Sequence, residues 1–304
     1  METEIRTDLA LEEKERFEGT DVEVSGVSLE KRKSLAGTFQ VTMVKILDEH
    51  GASVMRKPRG TYVTLENCFI DECHPDLYED MIHEISVQIR QMMKEFQRQD
   101  GRSKDKILIA GLGNRNATPD ALGPVTVEDI LIGKHLCAVA PGVMGQTGCE
   151  TSDYIRGIVK EIQADLIIAV DALAARNTRR LNTTVQISDT GIHPGSGVGN
   201  HRQAITRESM GVPVIAIGVP TVVEAATIVN DVLDNLVQAL EMSDNVKGLS
   251  QVMNEFSEME KRQLVRELMD VQTRDLYVTP KDIDETIGIL GKIISEGIND
   301  ALAG

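Results

Sequence analysis

Residues 107–124, ILIAGLGNRNATPDALGP, constrain the fold of this chain more than any other stretch. The short apolar run at their start reads as a strand buried on both faces. The Gly111-Leu112-Gly113 turn ends it, and a polar loop then delivers Asp120 to the start of a helix. About fifty residues later the design recurs in DLIIAVDALAAR, residues 165–176, an apolar run ending on Asp171. Two strands of one parallel sheet would each hand a carboxylate to the same edge. Open α/β sheets build their sites at the carboxyl ends of strands. Two carboxylates there can divide acid and base roles and activate water.

The surrounding pattern supports that sheet. Residues 21–70 carry β signals: 39–47 alternates, His50-Gly51 suggests a turn, and 60–70 resumes. Residues 75–98 place Leu77, Met81, Ile82, Ile85, Ile89, Met92, Met93 and Phe96 at helical spacing. Strands are then expected over 106–111, 166–171, 183–188 and 212–218. Helices are expected over 124–135, 151–162 and 221–240, with a turn at 141–148. Strands alternating with helices predict an α/β fold, mainly a parallel sheet with helices on both faces and an N-terminal β hairpin flanking it. After Met242 the chain turns helical and polar-faced. Residues 251–269 form one expected helix. A second starts at Thr279-Pro280, with Thr as cap and Pro in the first turn. Its stripe of Ile283, Ile287, Leu290, Ile294 and Ile298 reads as packing on the main domain. The expected organisation is a main α/β domain over 9–243, with a β extension over 21–70, and a C-terminal helical segment over 244–304.

Composition narrows the function. A net charge of −16 in 304 residues speaks against nucleic acid as a direct partner, because nucleic-acid binders show a basic face. No apolar run is long enough to span a membrane, and the charged N-terminus lacks the apolar core of a signal peptide. A cytoplasmic location is the expectation. With no Trp and 3% aromatic residues, the core must be aliphatic. The four cysteines are too scattered for a disulfide scaffold. Cys68, Cys73 and His74 cluster without a matching second pair, and read as ordinary thiols rather than a metal site.

Each candidate has a plain structural alternative. Asp120 in Thr118-Pro119-Asp120 suits the positive end of a helix dipole, and Asp171 suits a strand end. Only their paired placement argues for chemistry. Asp189-Thr190-Gly191 matches a pepsin-like triplet, but such enzymes are mostly β and need two triplets; Asp189 reads as a turn residue. Residues 191–200 form a Gly-rich loop without the Gly-Lys-Ser/Thr ending of a phosphate loop, and Gly111-Leu112-Gly113 is a fragment of a dinucleotide fingerprint. A nucleotide-binding α/β module is therefore the weaker alternative. His193 completes a possible metal triad with Asp120 and Asp171, so a divalent metal stays open as a cofactor; a hydrogen-bonding loop histidine is the alternative.

GLGNRNATPDALGP, APGVMGQTGCETSD, IIAVDALAAR, QISDTGIHPGSGVGNHR and GVPVIAIGVPTVV, in this order, resemble the germination protease (spore protease) family. The opening IRTDLA and the late VTPK are also similar to it. The resemblance implies a tetrameric endopeptidase of the spore core that degrades small acid-soluble spore proteins when a spore germinates. It implies cleavage after Glu or Asp, before an apolar residue followed by Ala, and a zymogen that removes its own propeptide. It implies a fold related to the hydrogenase maturation peptidases, and it matches the two essential Asp residues to Asp120 and Asp171. Thr7-Asp8-Leu9-Ala10 fits the cleavage pattern, which makes residues 1–8 the expected propeptide and Asp8–Leu9 the expected cut. Arg176 and Arg202 are the residues nominated to read the substrate acid.

Overall fold

A computed structural model of the protein describes residues 7–15, 25–66, 68, 75–193, 203–241, 258–269, 273 and 276–303. The strands are β1 (Val27–Lys33), β2 (Gln40–Ile46), β3 (Gly60–Glu66), β4 (Ile107–Gly111), β5 (Leu136–Val139), β6 (Leu166–Ala175), β7 (Val185–Ser188), β8 (Val214–Glu224) and β9 (Tyr277–Val278). They form one sheet in the order β1-β2-β3-β7-β8-β6-β4-β5, with β9 paired to β8. β5, β4, β6 and β8 run parallel, whereas β7 joins β8 antiparallel and carries β3, β2 and β1 onward antiparallel. The helices are α1 (Ala10–Glu15), α2 (Glu49–Met55), α3 (Pro75–Asp100), α4 (Leu122–Glu128), α5 (Met144–Thr147), α6 (Thr151–Ile162), α7 (Arg207–Met210), α8 (Ala225–Glu241), α9 (Glu258–Leu268) and α10 (Ile283–Leu302).

The parallel half has this form because alternate residues of a strand face opposite sides. On β4 and β6, Ile107, Ile109, Leu166, Ile168 and Val170 enter one apolar cluster, which the stripes of α3 and α10 complete. Leu108, Ala110, Ile167 and Ala169 enter a second cluster, closed by Ile155 and Val159 of α6 and by Leu9. Helices therefore cover both faces, as the strand–helix alternation implies. Leu77, Met81, Ile85, Ile89, Met92 and Phe96 are buried, Ile82 and Met93 are partly buried, and the five residues of the α10 stripe are buried.

Several local expectations differ. The hairpin is a three-stranded antiparallel unit. In place of the His50-Gly51 turn stands α2, capped by Asp48, whose Oδ1 accepts the Gly51 N–H at 2.7 Å, and ended by Arg56 in the left-handed conformation. The helix expected over 124–135 stops at Glu128. Gly133 then pairs with Leu136 and turns the chain into β5, which gains a ladder with β4 that a longer helix would forfeit. β6 passes Asp171 and reaches Ala175, and β8 runs on to Glu224 through Thr221-Val222-Val223, residues that favour strands. Thr279 does not cap a helix; its hydroxyl donates to the Thr221 carbonyl at 2.8 Å, and α10 starts at Ile283. Of the helix expected over 251–269, α9 is described and residues 251–257 lie outside the described residues.

Burial sets the stability test. Ile294 is 0% exposed between α3 and the sheet, whereas Leu131 is 73% exposed. Ile294→Ala should lower the unfolding free energy by about 2–5 kcal/mol in urea titrations, through lost transfer energy and the cavity left behind. Leu131→Ala should change it by less than about 0.5 kcal/mol. Equal effects would show that α10 is not integral to the core.

Candidate active site

The two carboxylates arrive by different routes. The β4–β6 ladder ends at Gly111↔Val170, so Asp171 is the first residue of β6 beyond the end of β4. It is still paired to β8, opposite Gly218. Its side chain is buried, and Oδ1 accepts the N–H of Ala172 at 3.0 Å. Asp120 closes a one-turn 3-10 helix, Thr118–Asp120, just before α4. The Asn114 N–H donates to Asp120 Oδ2 at 2.8 Å, which folds the loop back on itself. Thr221 fixes the same turn from β8 through a 2.7 Å bond to the Pro119 carbonyl.

Glycine makes this convergence possible. A Cβ on Gly123 would lie 2.4 Å from the main chain of Leu112 and 2.5 Å from the Val170 carbonyl oxygen. α4 thus rests its backbone directly on the ends of β4 and β6. Gly113, at φ +110°, lets the chain turn beneath Asp120, whose carbonyl oxygen would be 2.0 Å from a Cβ there. Asp120 and Asp171 consequently line one cavity of about 200 Å³.

The third carboxylate lining that cavity is Asp8. Its N–H donates to the Ala174 carbonyl at 3.2 Å, and its Oδ2 accepts the Ala174 N–H at 2.9 Å. The Val170 carbonyl accepts the Leu112 N–H on the β4 side of β6, so by strand alternation Ala174 presents its N–H and carbonyl on that same edge, beyond the end of β4, where the N-terminal segment meets them. Leu9 and Ala10 are fully buried, Leu9 with the α6-side cluster and Ala10 against Val44, Ile46, Met55 and Tyr62. Glu12 anchors the segment further on. Its oxygens accept the N–H of Arg176 at 2.8 Å and of Asn177 at 3.0 Å and the Thr7 hydroxyl, with the Arg180 guanidinium at 3.6 Å. Burial pushes the Glu12 carboxyl above the ordinary carboxylate range, and these donors pull it the other way.

The remaining candidates are placed differently. His193 lines a second cavity of about 520 Å³ with Lys57, Gln186 and Asp8, which adjoins the first at Asp8 and Leu173. Among the described residues no group of three or more His, Cys, Asp or Glu side chains is placed to hold a metal, so this donor set does not fit a metal on Asp120, Asp171 and His193. Arg176 meets the N-terminal segment through its main chain, and Arg202 lies outside the described residues. Asp189 accepts the Thr61 N–H at 2.7 Å and joins β7 to β3, a turn role in a different cavity. Cys68 is a buried free thiol whose pKa is raised by burial; Cys73 and His74 lie outside the described residues. Sequence reasoning missed Lys57, Gln186, Glu12 and Ala174. Lys57 sits in Arg56-Lys57-Pro58-Arg59, which reads as a solvated basic turn, and nothing local marks the other three.

A carboxylate-lined cleft at the strand ends of an α/β sheet, with part of the chain's own N-terminus seated in it, defines an enzyme fold. A family model described as germination protease matches residues 3–250 and 240–304. Germination proteases of Clostridium perfringens strain SM101 and of Caldanaerobacter subterraneus subsp. tengcongensis are 40% and 43% identical over 98% of this chain, covering 95% and 94% of their own lengths. A NiFe hydrogenase maturation protease from Thermococcus kodakarensis matches 39% of this chain and 75% of its own, at 21% identity and a TM-score of 0.31. The chain belongs to the germination protease family and is an endopeptidase.

The Gly123 contact yields a test. Gly123→Ala should destabilise the fold by about 1–3 kcal/mol through overpacking. It should also lower peptidase activity by about 100-fold, since a displacement near 1 Å at a reacting group has that effect. Asp189→Asn should leave activity within a few-fold, because Oδ1 still accepts from Thr61. The assignment of the cleft fails if Asp189→Asn is the more damaging of the two.

Proposed function

We propose that Asp120 and Asp171 are a carboxylate dyad that activates water, and that this chain cuts its own Asp8–Leu9 bond to release residues 1–8 as a propeptide. The observation that carries this reading is the shared cavity of Asp8, Asp120 and Asp171. One carboxylate accepts a proton as the water oxygen bonds to the Asp8 carbonyl carbon. The other delivers a proton to the Leu9 nitrogen as the C–N bond breaks. Close carboxylates titrate as a pair, which allows one to stay ionised and one protonated. A dyad is preferred to a metal centre because, among the described residues, no group of three or more His, Cys, Asp or Glu side chains is placed to hold a metal.

The same site then acts on small acid-soluble spore proteins in the spore core, cutting after Glu or Asp before an apolar residue followed by Ala. Asp8-Leu9-Ala10 follows that pattern, and the Ala174 N–H that receives the Asp8 carboxylate suits an acid ahead of the cut. While seated, residues 7–10 occupy the cleft and keep substrates out, so the uncut chain is a zymogen. The working assembly is a homotetramer.

Asp120→Asn and Asp171→Asn should each abolish cleavage of a spore-protein substrate while circular dichroism stays unchanged, since a carboxamide keeps the shape and cannot act as a base. Wild-type protein should develop a Leu9 N-terminus and gain activity as it does so; both variants should keep Met1. A fully active enzyme with an intact Met1 would overturn the zymogen reading.

A chelator separates the dyad from a metal mechanism. Activity should persist after prolonged incubation with EDTA. Complete loss, restored by an added divalent ion, would establish metal activation of the water instead.

A further inference from the structure

The peptide bond after Asp8 is gripped on its carbonyl side. The Asp8 carbonyl oxygen accepts hydrogen bonds from Lys57 Nζ at 3.0 Å and from Gln186 Nε2 at 3.1 Å. Gln186 also accepts the Ala10 N–H through Oε1 at 2.7 Å. One buried amide on β7 therefore spans the Asp8–Leu9 bond, donating ahead of it and accepting behind it. Lys57 lies just beyond α2. The residue keeps some surface, but its ammonium turns inward and bonds the Thr7 carbonyl as well, at 3.3 Å. Burial pushes the Lys57 ammonium below the ordinary lysine range, opposed by Asp8, Glu13 and Glu12. Desolvating a cation is costly, and a neutral donor would hold a main-chain carbonyl at lower cost. A positive charge is worth that cost where negative charge develops.

We propose that Lys57 and Gln186 carry the carbonyl oxygen of the bond that is cut, and stabilise the oxyanion formed when water adds to it. This rests on the reading of Asp8–Leu9 as a bond the chain cleaves. As the water oxygen bonds to the Asp8 carbonyl carbon, the C=O π pair moves onto the oxygen. Two donors already in place meet that charge without reorganising. The pair returns as the C–N bond breaks, leaving a carboxyl on Asp8 and an amine on Leu9. The dyad moves the protons but supplies no positive charge, and Lys57 supplies it. Lys57 and Gln186 line the second cavity, the dyad lines the first, and Asp8 lines both. In a separate substrate the same Gln186 would take the carbonyl before the cut and the N–H two residues on, which fixes the register of binding.

The test follows the first-order appearance of the Leu9 N-terminus by mass spectrometry in the full chain, with hydrogen exchange over residues 9–15 measured alongside. Lys57→Met should slow cleavage about 100-fold or more, as loss of one oxyanion donor does. Lys57→Arg should recover part of the rate. Gln186→Glu keeps an acceptor for Ala10 but loses the donor to Asp8, and should be slowed comparably to Lys57→Met. Exchange protection of residues 9–15 should match wild type, because Glu12 remains bound to Arg176 and Asn177. Wild-type cleavage rates in Lys57→Met and Gln186→Glu would overturn the proposal. So would slow cleavage with lost protection, which would make Lys57 a latch for the segment. If the wild-type chain never cuts Asp8–Leu9, the underlying reading fails and this proposal falls with it; if it cuts and the variants keep pace, the oxyanion assignment alone falls.

Discussion

Everything at the cleft depends on how closely α4 lies against the ends of β4 and β6. A helix normally stands off a sheet by the thickness of its side chains. Here Gly123 removes that layer, and helix backbone meets strand backbone at Leu112 and Val170. The approach brings the turn before α4 to the sheet edge, and Asp120 rides on that turn. Asp171 needs no such device, because β6 itself presents it just where β4 stops. One carboxylate is thus placed by sheet register and the other by the absence of a side chain. Packed interiors deform little, so both positions are fixed tightly.

The antiparallel half of the sheet has a different task. β7 bridges the parallel strands to β3 and β2, and it contributes Gln186 on the way. β2, β3 and α2 together build the apolar seat of Ala10. α1 and the residues before it fill a slot between the two halves, held by Ala174 at one end and by Glu12 at the other. Polar groups that would be orphaned by burial find partners across that slot, which satisfies the usual demand on a dry interior.

Much of this was legible in the residues. The apolar runs of β4 and β6, the stripes of α3 and α10 and the turn chemistry around Asp120 each carry a local periodicity or a steric rule, and those elements stand where the pattern puts them. The misplaced boundaries have one cause in common. β5, the end of β6 and the end of β8 gain their strand partners from distant segments, and a local window holds no trace of a partner. Lys57, Gln186 and Glu12 were hidden for the same reason. Each looks like an ordinary polar residue until the fold closes over it, whereas Asp120 and Asp171 announce themselves by sitting at the ends of apolar runs.

The seating of the N-terminal segment carries a consequence for how the molecule is made. Asp8 bonds to Gln186, 178 residues away, and Glu12 to the main chain of Arg176, 164 residues away. The ribosome delivers this segment before β6 and β7, yet its seat does not exist until those strands have emerged and paired. Closing so long a loop is entropically modest once those strands stand, but it cannot precede them. A segment made well before its seat is therefore among the last to find its place, and the cleft cannot be filled from within before the sheet around it is complete.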